Sequence, residues 1–259
     1  MRVLKHIPNA ITCGNLLCGC FALIKIFDGE LMVASYLVGL AMVLDFFDGF
    51  AARLLKVSSP IGKDLDSLAD MVTFGLVPGF MMYAVINLCM PGQLASSFIH
   101  EPLNALNSMS VASHFPSYLS YTAFIIPVLS AVRLAKFNND TRQSDSFIGL
   151  PTPANAMFIC SLPLIGNRYM NDLPWNNLVY NPWLYVGISV VMSLLLVTEL
   201  PLIALKFKQF GWKGNEIRYL FLGLCALLLV LLQVTAIPFI ILLYILLSIV
   251  NNIFLKKKV

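Results

Sequence analysis

Four aspartates, Asp45, Asp48, Asp66 and Asp70, interrupt two otherwise apolar stretches of the chain. An unpaired carboxylate inside a membrane helix costs at least about 2.5 to 3.5 kcal/mol, so four of them require an offsetting partner. Asp45 and Asp48 are three residues apart and Asp66 and Asp70 four apart, so on helices each pair shares one face. The short link from Leu54 to Lys63 sets the two helices side by side and antiparallel, which lets all four carboxylates converge. An oxygen-only donor set with no His or Cys alongside suits a hard divalent ion, Mg²⁺ or Mn²⁺, and four carboxylates suit two ions. Two ions favour phosphate chemistry, because together they bind bridging phosphate oxygens and stabilise both the attacking and the leaving oxygen. Spacing alone leaves two other uses open: ion pairing with Arg53 and Lys63, or a cation or proton pathway.

Neighbouring residues favour a ligand. Gly49 follows Asp48 directly and removes a side chain where a ligand approaches the helix, and Arg53 adds a fixed cation one turn on. Gly62 does the same at the entry to the next helix. His6, His100 and His114 fall at the terminus or in a connecting segment, away from the acids, and are read as solvated or structural.

The elements that must position these residues follow from composition. The chain has 259 residues, of which 59% are hydrophobic and 12% charged, with a mean hydropathy of +0.82. Ordinary soluble domains carry about 25% charged residues, so a soluble domain is excluded and an all-α polytopic membrane protein is expected. The net charge of +4 suits an anionic lipid surface and excludes the dense basic patches of nucleic-acid binders. Apolar runs predict about eight spans, at 10–27, 31–53, 66–89, 117–137, 152–166, 182–205, 217–234 and 238–255.

Basic residues orient them, since cytoplasmic links are enriched in Lys and Arg. Arg2 and Lys5; Arg53, Lys56 and Lys63; Arg133, Lys136 and Arg142; Lys206, Lys208, Lys213 and Arg218; and Lys256, Lys257 and Lys258 all fall on one face, leaving Lys25 and Arg168 of the 17 outside it. Lys25 snorkels from its helix end. Both termini are therefore expected to be cytoplasmic. A leader peptide and a lipoprotein box at Leu17-Cys18-Gly19-Cys20 are rejected, because Asn9, Thr12 and Asn15 head the first run and further spans follow. Residues 93–116 read as an outer loop. The six cysteines lie in apolar stretches without paired spacing and predict no disulfide framework.

Taken together, Asp45-Phe-Phe-Asp48-Gly49-Phe-Ala-Ala52-Arg53, then Gly62, Asp66 and Asp70, resemble the CDP-alcohol phosphatidyltransferase signature D-x2-D-G-x2-A-R-x8-G-x3-D-x3-D. Eight defined positions over 26 residues all match. The resemblance runs from about Pro8 to Lys208. It implies a six-helix core over residues 1–208 with an additional two-helix segment over 209–259.

The resemblance also implies roles. Asp45 and Asp66 would each touch both of two divalent cations, Asp48 one, and Asp70 the other while acting as the general base. Gly49, Arg53, Gly62 and Ser59, six residues after the arginine, would contact CDP-diacylglycerol. Pro8-Asn9-Ala-Ile-Thr12 is similar to the family's first-helix start, so Asn9 and Thr12 become nucleotide contacts, with a plain helix cap as the other role for Thr12.

Further stretches are similar to the branch of the family that makes phosphatidylserine: Gly14-Asn15-Leu16, Asp66-Ser67-Leu68-Ala69-Asp70 with Thr73-Phe74-Gly75, Arg133 to Asn138, and Phe147 to Ala154. Lys136 and Thr73 depart from that branch's usual Arg and Ser, but keep the charge and the hydroxyl. The implied acceptor is L-serine. Its carboxylate calls for a cation, for which Arg133 is the candidate, with Asn138 and Thr152 beside it. A membrane-surface anchor is the other role open to Arg133. The rest of the expectation is an enzyme of the cytoplasmic membrane of a bacterium-like cell, working as a homodimer at the cytoplasmic face and releasing CMP. A phosphatidylglycerophosphate synthase, using glycerol 3-phosphate, and a cation or proton transporter are the alternatives.

Overall fold

The computed structural model describes residues 6–57, 59–90, 116–139, 147–169, 181–202 and 215–254. Of the residues used above, Arg2, Lys5, His100, His114, Arg142, Lys206, Lys208, Lys213, Lys256, Lys257, Lys258 and most of the 93–116 loop lie outside this set. Among the described residues, five helical runs are long and apolar enough to cross a membrane: Ile7–Phe27, Leu31–Leu54, Pro60–Leu88, Tyr118–Asn139 and Arg218–Asn252.

Helices α1 (Ile7–Phe27) and α2 (Leu31–Leu54) pack along most of their length. Ala22, Ala34 and Ala41 are fully buried, and such small side chains let two backbones approach closely where lipid offers no hydrophobic drive to association. Lys25 closes the short connection between them, donating to Asp28 at 3.2 Å and Glu30 at 3.0 Å. The expected snorkelling lysine is therefore paired within its own turn.

Helix α3 (Pro60–Asp70) begins six residues before the predicted third span. Polar residues at its head hid it from a hydropathy reading, but the start is well specified: Pro60 occupies the first turn, and Ser59 Oγ accepts from the Gly62 N–H at 3.0 Å. Ser59→Ala should destabilise this helix end by about 1 kcal/mol. Thermal unfolding in detergent would register that change, and an unaltered Tm would mean the cap contributes nothing.

After Asp70 the helix widens into a π-helical turn, Met71–Leu76, before continuing as α4 (Val77–Leu88). Pro78 explains the widening, since it lacks an N–H and its ring crowds the carbonyl one turn earlier. The wide turn faces α1 and α5 (Ile125–Asn139), which follows a 3₁₀ segment, Ser117–Phe124.

Helices α6 (Thr152–Tyr169) and α7 (Pro182–Val197) complete the packing around α4. The sixth span was expected to reach residue 205, yet α7 ends at Val197. Thr198 turns extended, and the backbone preceding Pro201 is biased away from the helix. Residues Pro201–Leu202 instead pair antiparallel with Phe147–Ile148, a two-residue ladder that is the one strand pairing among the described residues.

Helices α8 (Glu216–Leu232) and α9 (Ala236–Phe254) stand where the last two spans were expected. Gln233, at φ 53, breaks them apart, and Arg168 donates to its side chain at 2.6 Å. The core lies mainly between α1, α2 and α4, while α9 packs on α6 and clasps the short ladder through an Asn252 bond to the Pro201 carbonyl.

Candidate active site

Side-by-side packing of the two acidic helices was expected, but α2 and α3 do not pack closely on each other. α1 lies against both and holds them apart. Into that gap project Asp45 and Asp48 from α2 and Asp66 from α3, with carboxylate oxygens all within 4.8 Å of one another. Asp70, one turn beyond Asp66, lies against Asp45. The predicted convergence holds, with helix spacing placing each pair on one face as anticipated.

Ion pairing with Arg53 and Lys63 is not how these acids are balanced. Among the described residues none of the four carboxylates has a basic nitrogen within 4.0 Å. Arg53 Nε folds back onto the Gly49 carbonyl at 2.9 Å, and Lys63 Nζ donates to the Asn138 carbonyl at 3.2 Å. Three half-buried or buried carboxylates drawn together, with no cation of the protein between them among the described residues, form a group that could hold a metal ion.

α1 supplies the floor. Thr12 Oγ1 donates to Asp48 Oδ2 at 2.6 Å, with the Pro8 carbonyl 3.0 Å away. Thr12 is thus no helix cap: it sits inside α1 and orients a carboxylate. One turn deeper, the fully buried Asn15 donates from Nδ2 to Asp70 Oδ1 at 3.5 Å. Asn15 received no role from the sequence, although the three-residue steps Asn9, Thr12, Asn15 already put all three on one helical face.

At the mouth, a Cβ added to Gly62 would stand 3.0 Å from both Asn9 Oδ1 and Ser59 Oγ. These three predicted ligand contacts therefore converge, and any side chain at Gly62 would fill the space between them. Beside Gly49 the space is open, the Arg53 guanidinium being the nearest group at 4.0 Å. Arg53 itself is exposed and, among the described residues, is anchored through Nε alone, which leaves its other N–H groups available to an anion.

The predicted acceptor residues separate. Arg133 is 6% exposed, stacks over Phe137 at 4.7 Å and lies within electrostatic reach of Asp70. A surface anchor would be solvated, so that role is excluded. Its Nε has no hydrogen-bond partner among the described residues. Asn138 is committed differently, its amide donating to Ser67 Oγ at 2.8 Å and tying α5 to α3 next to Asp66. Thr152 is buried at the start of α6, with no hydrogen bond to the four aspartates among the described residues.

A helical membrane protein with a carboxylate cluster opening onto an exposed arginine defines the class, and the comparison with known proteins agrees. The chain belongs to the CDP-alcohol phosphatidyltransferase family, whose family model matches residues 5–251. It is 30% identical over 215 residues to the CDP-diacylglycerol--serine O-phosphatidyltransferase of Bacillus subtilis (strain 168), covering 82% of this chain and 96% of that one. The protein of the same name from Helicobacter pylori (strain J99) is 29% identical over 255 residues, covering 97% and 93%. That of Methanocaldococcus jannaschii is 26% identical over 171 residues, or 66% of each chain.

Proposed function

We propose that this chain transfers the phosphatidyl group from CDP-diacylglycerol to the hydroxyl of L-serine and releases CMP. The observation that carries it is the cluster of Asp45, Asp48 and Asp66 with Asp70 alongside, in a chain similar over most of its length to enzymes named for that reaction. Asp45, Asp48, Asp66 and Asp70 would hold two divalent cations, Mg²⁺ or Mn²⁺. Such ions neutralise the charge that builds on a transferring phosphate group.

The residues divide the remaining work. Arg53, Asn9 and Ser59 line the mouth where the CDP group binds, with Gly49 and Gly62 leaving it room, and Thr12 holds Asp48 from below. Ser59 uses an oxygen lone pair for its helix cap, so its O–H stays available to an acceptor atom of the nucleotide. Asp70 takes the proton of the serine hydroxyl as that oxygen bonds to phosphorus, and the bond from phosphorus to the CMP oxygen breaks. Much of the rate comes from alignment, because an alcohol is a weak nucleophile.

Arg133, buried and with an Nε that has no hydrogen-bond partner among the described residues, is the cation for the serine carboxylate, while Asn138 and Thr152 remain the sequence's other candidates for acceptor contacts. The accompanying topology is eight spans with both termini cytoplasmic, a six-helix core over 1–208 and a C-terminal pair over 209–259. The setting is a homodimer in the cytoplasmic membrane of a bacterium, with the site on the cytoplasmic face. Purified protein should release CMP from CDP-diacylglycerol with L-serine at least about tenfold faster than with glycerol 3-phosphate or inositol, a preference of about 1.4 kcal/mol. Faster release with glycerol 3-phosphate would favour the phosphatidylglycerophosphate reaction and sink the serine assignment.

A further inference from the structure

Asn15 is expensive to keep where it is. Its side chain is fully buried in α1, and its Oδ1 has no hydrogen-bond partner among the described residues. Leaving a buried polar atom unsatisfied costs about 1 to 3 kcal/mol, which an apolar residue of the same size would avoid. Among the described residues, the one side-chain hydrogen bond of its amide is the Nδ2 donation to Asp70 Oδ1.

The surroundings hold Asn15 against that carboxylate. The π-helical turn Met71–Leu76 starts at the residue after Asp70 and presents Thr73 to α1, where Thr73 Oγ1 donates to the Asn15 backbone carbonyl at 3.2 Å. Gly19 makes this approach feasible, since a Cβ there would sit 2.5 Å from Thr73 Oγ1. The same widened turn therefore both follows Asp70 and fixes the backbone of the residue that reaches it. π-helical turns recur at functional sites for this kind of re-aiming.

We infer that Asn15 is a positioning residue for Asp70: its amide occupies one carboxylate oxygen and fixes the side chain so that the other oxygen faces the acceptor hydroxyl. Thr73 and the π-helical turn set Asn15 itself. The inference rests on the proposed role of Asp70 as base, and it concerns the orientation of Asp70, which lies against Asp45, rather than the assembly of the Asp45, Asp48 and Asp66 trio.

Asn15→Ala and Asn15→Leu test it, the leucine keeping the volume if the alanine does not fold. Steady-state CMP release with CDP-diacylglycerol and L-serine is measured alongside Mn²⁺ binding to the same detergent-purified protein by electron paramagnetic resonance. The expected result is a kcat lower by about tenfold or more, the order of loss that misplacing a reacting group produces. KM for both substrates and the affinity of the Mn²⁺ held by the Asp45, Asp48 and Asp66 trio should stay within about twofold. Thr73→Val should lower kcat less, with the same KM values. A folded Asn15 variant with wild-type kcat overturns the inference, as does one in which the affinity of the Mn²⁺ held by the trio falls in step with kcat, which would make Asn15 part of that ion site. Wild-type protein that releases no CMP with any alcohol removes the reaction itself, and the inference with it.

Discussion

Asp66→Asn should lower turnover by about three orders of magnitude, because the lost ion stabilisation amounts to several kcal/mol and each 1.4 kcal/mol is about tenfold. Asp66 is the single α3 member of the trio in which one oxygen from each residue lies within 4.8 Å of the others, so without its charge the two α2 carboxylates lose the partner that completes that donor set. Helix content should be retained, since removing one of several clustered negative charges relieves repulsion. Asp70→Asn makes the informative contrast. It leaves the trio intact, so turnover should fall comparably while one Mn²⁺ still binds. Equal loss of all Mn²⁺ in both variants would show that Asp70 is as much part of the first ion site as Asp66 is.

Gly19→Val is the second large effect, and it acts through packing. The added Cβ would meet Thr73 Oγ1 at 2.5 Å and the Thr73 Cα at 3.2 Å, and a backbone atom in a wound turn cannot rotate away. α1 must then move off the π-helical turn, at a cost of about 1 to 3 kcal/mol for overpacking. Thr12 and Asn15, which hold Asp48 and Asp70, move with it, so the thermal midpoint and turnover should fall together. Gly39→Ala is the control, because nothing lies within 4 Å of a Cβ at that position. A Gly19→Val protein with wild-type melting would mean that α1 and the turn are not tightly packed.

The acidic cluster was legible because its signals are local. Carboxylates three and four apart on apolar helices carry their own geometry, and the cost of each in lipid marks it as functional. The approach of Ser59 to Gly62 was likewise local, since the start of α3 is fixed by Ser59 and Pro60, whereas the arrival of Asn9 beside them depends on α1 packing against α3. What escaped was long-range packing. That α1 separates α2 from α3, and that Thr12 and Asn15 reach down to Asp48 and Asp70, depends on which helix lies against which, and periodicity does not specify that.

The π-helical turn escaped for a different reason. Its cause, Pro78, is visible in the sequence, but a proline in an apolar run reads as a kink and not as a widened turn that brings Thr73 onto Asn15. Helix α7 was overextended because residues 198–205 are partly apolar, and the break before Pro201 outweighs hydropathy there. Arg133 sits between these cases: its position in the chain fits a surface anchor equally well, and only its burial against Phe137 separates the two roles.

The most direct test of ion-dependent phosphatidyl transfer uses purified protein in mixed micelles with CDP-diacylglycerol and radiolabelled L-serine, freed of divalent ions and then given Mn²⁺ or Mg²⁺. Label should enter the organic-soluble lipid in step with CMP release, only after the ion is restored, and not with Asp66→Asn. Label that stays in the aqueous phase with every ion, while the reconstituted protein passes cations across a vesicle membrane, would contradict it and return the four aspartates to an ion pathway.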